Sequence, residues 1–352
     1  MKKIAWLPEN LDNNRSFYGL KKATALAGAE NISEKDLYKN PRKVDYLVLN
    51  FYEDIQKKFG FHLIAYVGRW IRLHYFKFCG IKVIWMVNNK VPHDDNKAWA
   101  IRMMRTLIKS SDKIIILCTD TLSVLKNLVK KESVWRDKII YLPHPNYIGA
   151  YKKTDLPVQS DGEAFKLLFF GSIRPYKNVD VLIRAFKRVQ NNNIELTIAG
   201  GCKSESYRQY IQNLASESNI KLMLQYIDDD EIMSLISENS MLVFPYDNET
   251  TLNSGSIILA CSAGKTFISP KIGTVKDFPD DSLFYWYEYK DEQEHIEKLT
   301  EMMTRAYNDF CNDKNHFLEK GKKLKEYMKE NNSLEVLAKI FKEKLFIESN
   351  RQ

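Results

Sequence analysis

The chain alternates short apolar runs with longer stretches of helical periodicity. In its first part the apolar runs are Ile4–Leu7, Val44–Phe51, Lys82–Val87, Lys113–Cys118 and Lys138–Leu142. Helical stretches fall at Arg15–Ala27, Tyr52–Phe78, Asn96–Ser110 and Thr121–Lys131. Near-continuous apolar strands, each followed by a helix, predict a parallel sheet covered on both faces. The polar run Tyr151–Ala164 (YKKTDLPVQSDGEA) interrupts this rhythm and reads as a linker. The rhythm then resumes. Strands are expected at Lys166–Phe170, Glu195–Ala199, Lys221–Gln225, Met241–Pro245 and Thr266–Ser269, with a weaker one at Leu283–Tyr287. Helices are expected at Val179–Gln190, Tyr207–Ser216, Asp229–Glu238 and Ser254–Ala263, then at Glu292–Asp309 and Ser333–Phe346. The pattern therefore predicts an α/β protein of two Rossmann-like, doubly wound domains: residues 1–155, residues 156–332, and a C-terminal helix over 333–352 that crosses back to the first domain. Such sheets bind ligands at the carboxyl ends of their strands, so two facing domains would bring two substrates together across a cleft.

Composition narrows the setting. The 352 residues suffice for two domains of ordinary size. The five cysteines are scattered singly, with no metal-ligand spacing, which predicts reduced, buried thiols. The opening MKKIAWLPENLDNN has too short an apolar run for a secretory signal, and no segment is long enough to span a bilayer. A cytoplasmic location is expected. Charge is uneven: residues 1–155 hold 28 Lys+Arg against 15 Asp+Glu, a net of +13, and the remainder carries −5. The first domain should meet something anionic. Nucleic acid is disfavoured, because no helix-turn-helix, finger or RNP-like pattern is present. The stretch Phe59–Phe78 mixes large apolar residues with Arg69, Arg72, His74 and Lys77. It reads as a core helix with a cationic end or as a peripheral membrane contact.

The sharpest chemistry lies in Phe169–Phe186, FFGSIRPYKNVDVLIRAF. Gly171 ends a strand and permits close backbone approach. Arg174 and Lys177 follow beside a helix start, where anions are favoured. A second constellation is PYDNETTLNSGS, Pro245–Ser256, whose backbone amides at a helix start would form an anion nest. In WMVNNKVPHDD, Trp85–Asp95, a buried strand ends at Asn88-Asn89 and Pro92-His93-Asp94-Asp95 precedes a helix, which puts Asn89, His93 and Asp94 in a position suited to a second substrate. His93 would act as a base or hydrogen-bond the substrate, the alternative being a capped helix with a structural histidine. YLPHPNYIGAY, Tyr141–Tyr151, adds His144 and Tyr147, and the polar loop Pro8–Ser16 adds Asn10, Asn14 and Arg15. Asp228–Asp230 sits where acidic residues suit a helix start, so a metal site is not expected.

GSIRPYKNVDVLIRAF, with LTIAGG (Leu196–Gly201), IDDDEIMSLISENSMLVFPY (Ile227–Tyr246) and NSGSIILACSAGKTFISPKIG (Asn253–Gly273), resembles the GT-B glycosyltransferases, in particular the large retaining family 4 (group 1). Jointly these motifs are specific. The resemblance implies a hexosyltransferase-like enzyme using a UDP- or GDP-sugar and no metal or other cofactor. Its donor would be held by Gly171, Arg174, Lys177, Asn253, Ser254, Gly255 and Ser256, with Arg174 and Lys177 neutralising the leaving diphosphate. The acceptor would be a glycan or a polyprenyl-diphosphate-linked molecule, met by Asn10, Arg15, Asn89, Asp94, His144 and Tyr147, in assembly of a cell-surface polysaccharide. WMVNNKVPHDD is similar to a W-T-V-H-N-x-x-P-H-E run of some bacterial members, with Asn88 replacing the first His. The usual glutamate pair is also missing, Thr251 and Leu259 standing in its place. These departures motivate a second reading, a non-catalytic partner subunit of the same fold; a non-hydrolysing nucleotide-sugar epimerase is a further alternative within that fold.

Overall fold

The apolar runs become strands because both of their faces are covered. In the computed structural model, whose described residues are 1–11, 14–55, 62–90, 97–151, 164–189, 191, 193–216 and 218–347, β3 (Tyr46–Asn50) is buried at every position and β4 (Lys82–Val87) at all but its first. With β1 (Lys2–Leu7), β2 (Ala29–Ile32), β5 (Lys113–Ile116) and β6 (Ile139–Tyr141) they form a parallel sheet in the order β2-β1-β3-β4-β5-β6. The helices between them are α1 (Arg15–Leu26), α2 (Glu34–Lys39), α3 (His62–Phe78), α4 (Lys97–Ser110) and α5 (Thr121–Leu128).

The second sheet is also parallel throughout, in the order β12-β11-β10-β7-β8-β9. Its strands are β7 (Phe165–Phe170), β8 (Ile194–Ala199), β9 (Ile220–Met223), β10 (Met241–Val243), β11 (Phe267–Pro270) and β12 (Tyr285–Tyr287). Its helices are α6 (Val179–Arg188), α7 (Glu205–Ala215), α8 (Asp229–Ser237), α9 (Gly255–Ser262), α10 (Gly273–Lys276), α11 (Glu292–Asn312) and α12 (Lys314–Asn331). The chain then forms α13 (Leu334–Phe341) and a π-helical turn at Lys342–Ile347.

Two compact units result. The first comprises Met1–Pro145, Glu249–Asn253 and Asn331–Gln352; the second comprises Asn146–Asn248 and Ser254–Glu330. In the first unit α13 lies on α1, where Leu337 and Phe341 join Ile4, Phe17 and Leu20 in one buried cluster. Tyr46 of β3 donates from its hydroxyl to the Leu345 carbonyl at 3.0 Å. The C-terminal segment thus covers one face of the first sheet.

Several elements depart from the expected pattern, among them the short helices α2 and α10, which were not expected. A single helix over Tyr52–Phe78 was expected; the chain instead turns after β3, with Phe51 at φ 52, and α3 begins at His62. β2 is a four-residue edge strand with polar Glu30 and Asn31, too short and polar to show in the pattern. α12 is lysine-rich and buries only Phe317, Gly321, Leu324 and Met328, so its apolar stripe is sparse. Most of the expected linker falls on residues 152–163, outside the described residues.

Candidate functional site

In each sheet the strand order reverses at one point, and ligands of doubly wound sheets bind outside the carboxyl ends of the strands there. In the second sheet that point lies between β7 and β10. The loops leaving these two strands hold both candidate donor segments.

After β7 the backbone continues pairing: Gly171 N–H donates to the Ala199 carbonyl at 3.1 Å and Ile173 N–H to the Gly201 carbonyl at 3.0 Å. Gly171 has φ +152, and a Cβ there would lie 3.3 Å from the Ser256 hydroxyl oxygen. A Cβ on Gly200 would lie 1.9 Å from the Gly171 carbonyl oxygen, so only glycine lets these two turns approach. A single turn of 3-10 helix, Pro175–Lys177, and left-handed Asn178 then lead into α6. This turn leaves Arg174 exposed and Lys177 half-buried.

Lys177 Nζ stands 4.3 Å from the centroid of the Tyr246 ring and 5.2 Å from that of Tyr176. Burial, then the Arg174 charge, lowers its pKa to about 8. Tyr246 follows β10 and is buried; desolvation raises its hydroxyl to about 12, against lowering hydrogen bonds with Ser254 and Ser256. The Ser254 hydroxyl donates to Tyr246 Oη at 2.8 Å and caps α9 by accepting from Ile257 N–H at 3.2 Å. Ser254 N–H donates to Thr274 Oγ1 at 3.1 Å. The structure thus gathers Gly171, Lys177, Ser254 and Ser256 at one switch point, with Arg174 and Gly255 in the same two loops. A polyanion would meet two cations and a helix N-terminus there. Tyr246 and Thr274 were missed in the sequence; a tyrosine one residue past a strand-ending proline carries no signal until β10 is paired with β7.

Asn253 belongs to the first unit. Its Nδ2 donates to the Asn88 carbonyl at 3.0 Å, while Asn88 Nδ2 donates to Asn50 Oδ1. Thr251 is buried in the first unit, and Leu259 is buried among the apolar side chains of the second. Neither position offers a carboxylate.

The remaining candidates lie as follows. Asn10 is exposed after β1, Arg15 opens α1, and Asn14 caps α1 by accepting from Phe17 N–H at 3.0 Å. Asn89 is half-buried after β4. His93 and Asp94 lie outside the described residues. His144 belongs to the first unit; burial lowers its pKa to about 4, so it is neutral, and its Nδ1 donates to the Pro145 carbonyl at 3.0 Å. Tyr147 belongs to the second unit, its N–H donating to Ser262 Oγ at 3.0 Å and its ring stacking with Tyr151. Asp228 is the N-cap residue before α8, with Asp229 and Asp230 in the helix's first turn.

Two successive doubly wound parallel sheets of this kind define the GT-B class of transferases. The chain belongs to the glycosyl transferases group 1 family, whose pattern matches residues 152–331. A GDP-mannose:glycolipid 4-beta-D-mannosyltransferase of Xanthomonas campestris pv. campestris is 26% identical over 193 residues, which is 54% of this chain and 50% of that protein. The chain therefore spans about half the length of the curated relatives it matches. Among solved structures, HepE of Anabaena in complex with UDP and glucose superposes with a TM-score of 0.73 at 10% identity, covering 99% of this chain and 100% of that one. Sucrose-phosphate synthase from Thermosynechococcus elongatus gives 0.74 at 12% identity, with both chains fully covered. At these identities the structural likeness establishes the fold.

Proposed function

We propose that this enzyme transfers a sugar from a nucleotide diphosphate sugar to a glycan or lipid-linked acceptor, without a metal ion, in building a cell-surface polysaccharide at the cytoplasmic face of the membrane. The observation that carries the donor half is the convergence of Lys177, Arg174 and the α9 N-terminus at the β7/β10 switch point. The likeness to a mannosyltransferase named for GDP-mannose and a glycolipid, and to HepE complexed with UDP, supports the same reading.

In the reaction the bond between the anomeric carbon and the diphosphate oxygen breaks, and the acceptor oxygen bonds to that carbon. The diphosphate gains negative charge as it leaves. Arg174, Lys177 and the Gly255 and Ser256 amides at the start of α9 stabilise that charge in place, without reorganising. His93 is the proposed proton acceptor for the acceptor hydroxyl. Thr251 and Leu259 stand where the family resemblance implies glutamates, which favours a second reading, a non-catalytic subunit that binds the donor without turning it over.

The test is thermal-shift binding of UDP, GDP, UDP-glucose and GDP-mannose to the wild type and to Lys177→Ala, with EDTA or magnesium. Stabilisation by one nucleotide class, indifferent to EDTA and lost in the variant, is expected. Transfer to a lipid-linked glycan then separates the readings: binding without product supports the non-catalytic subunit, and no binding at all refutes the donor site.

A further inference from the structure

Lys177 packs against the Tyr246 ring, and the Tyr246 hydroxyl meets Ser254. Tyr246 itself opens the segment Tyr246–Asn248, which follows β10 without helix or strand. Such a segment keeps one direction only if its backbone groups are held. The hydroxyl of Tyr289, two residues beyond β12, holds both of its ends. It donates to the Tyr246 carbonyl at 3.1 Å and accepts from Asn248 N–H at 3.1 Å. The Asn248 side chain returns the contact, its Nδ2 donating to the Tyr289 carbonyl at 3.1 Å.

The Tyr289 ring is fixed in turn. It stacks on the imidazole of His295 in α11, with centroids 3.8 Å apart and planes 11° from parallel. His295 is buried, and desolvation lowers its pKa to about 4 against the raising effect of Asp247, so the ring is neutral. Burial pushes the Tyr287 hydroxyl well above its ordinary range. That hydroxyl therefore keeps its proton and donates to His295 Nε2 at 2.9 Å. Strand β12 and helix α11 thus brace one tyrosine from behind.

We infer that Tyr289 is a positioning residue of the donor site: by clamping the Tyr246–Asn248 segment it holds the Tyr246 ring against Lys177 and the Tyr246 hydroxyl against Ser254, so that both stand in place for the leaving diphosphate. Charge that develops on a leaving group is stabilised best by groups that need not move. Phenylalanine at this position would keep the stack on His295 and leave the Tyr246 carbonyl and the Asn248 N–H without this partner. Arg174, Tyr176 and Tyr246 face Lys177, and Tyr289 acts on it through the last of them. This role rests on the donor site of the proposed function.

The experiment is isothermal titration of the full chain with UDP-glucose and with GDP-mannose, from about pH 7 to 9.5, on wild type, Tyr289→Phe, Tyr246→Leu and the double variant. At the lower end Tyr289→Phe should bind its nucleotide sugar about fivefold more weakly than wild type. The pH above which affinity falls should also move up by about half a unit or more, because a loosened Tyr246 ring lets water reach Lys177 and relieves the burial that lowers its pKa. In the Tyr246→Leu background the same change should add less than about twofold, since the residue it acts through is gone. Tyr285→Phe removes another hydroxyl of the same strand, bonded to Asp309 at 2.8 Å, and should leave affinity and pH profile as in wild type. His295→Gln loosens the Tyr289 ring without removing its hydroxyl; it should weaken binding in the same sense and carries the test if Tyr289→Phe does not fold. Wild-type affinity and profile in Tyr289→Phe, an equal loss in Tyr285→Phe, or an effect additive with Tyr246→Leu overturns the role of Tyr289 alone. A wild type that binds neither nucleotide sugar overturns the donor site with it, so the two failures are distinguishable.

Discussion

Lys177 gives the sharpest test of the donor site, because its protonation is set by the same burial that positions it. In the free protein its pKa falls from 10.5 to about 8, through desolvation first and the Arg174 charge second. A bound diphosphate supplies the missing counter-charge and raises it again. Below pH 8 the ammonium is already charged and donor affinity is at its full value. Above pH 8 the site must take up a proton to bind, so affinity falls with rising pH. Between pH 7.5 and 9 the loss should be about eightfold, approaching tenfold per pH unit until the pKa of the complex is reached. Isothermal titration with an intact nucleotide sugar measures this, since its diphosphate has no proton of its own to lose in that range. Repeating the titration in two buffers of different ionisation enthalpy should show about 0.9 proton taken up at pH 9. Lys177→Met should bind at least tenfold more weakly at pH 7.5, with a flat profile. Lys177→Arg should also be flat, because arginine stays charged. A pH dependence that survives in Lys177→Met, or a flat wild-type profile, would refute the assignment.

Three further substitutions probe the supporting structure. Gly200→Ala puts a methyl 1.9 Å from the Gly171 carbonyl oxygen at φ +146, and should cost about 3 kcal/mol or more in urea denaturation. Ser254→Ala removes the α9 cap and the partner of Tyr246, and should cost about 1–2 kcal/mol, with a loss of donor affinity besides. Glu53 is buried, accepts from Trp85 Nε1 at 3.0 Å, and has its pKa raised to about 7 by desolvation first and by Asp54 second. Between pH 4.5 and 7 the folded chain holds a proton that the unfolded chain has released, so stability should fall as pH rises through that window. The fall should reach up to about 3 kcal/mol. Glu53→Gln should abolish it in denaturation curves collected from pH 4.5 to 7.5.

Much of this was legible from residue order. Strand–helix alternation, the break near residue 151 and the restart at β7 are local properties of apolar spacing, and they predicted two parallel sheets. The segment GSIRPYKNVDVLIRAF identified Gly171, Arg174 and Lys177 because strand, turn and helix follow one another without a gap. Ser254 was legible for the same reason, as a cap in front of an apolar helix. Elements with weak patterns were not: β2 is an edge strand, and α12 buries few side chains.

Long-range packing decided the rest. That Asn331–Gln352 and Glu249–Asn253 belong with the first unit depends on which apolar faces they cover, and their own sequences do not encode it. Tyr246 becomes the support of Lys177 only because β10 pairs with β7 across the point where strand order reverses. The sequence of α3 fits either a core helix with a cationic end or a membrane contact, since hydrophobic residues alone do not say which side another element will cover. Sequence determines where apolar surface and charge sit along the chain; only the tertiary structure decides which of that surface is left facing outward, because burial is a property of neighbours distant in the chain.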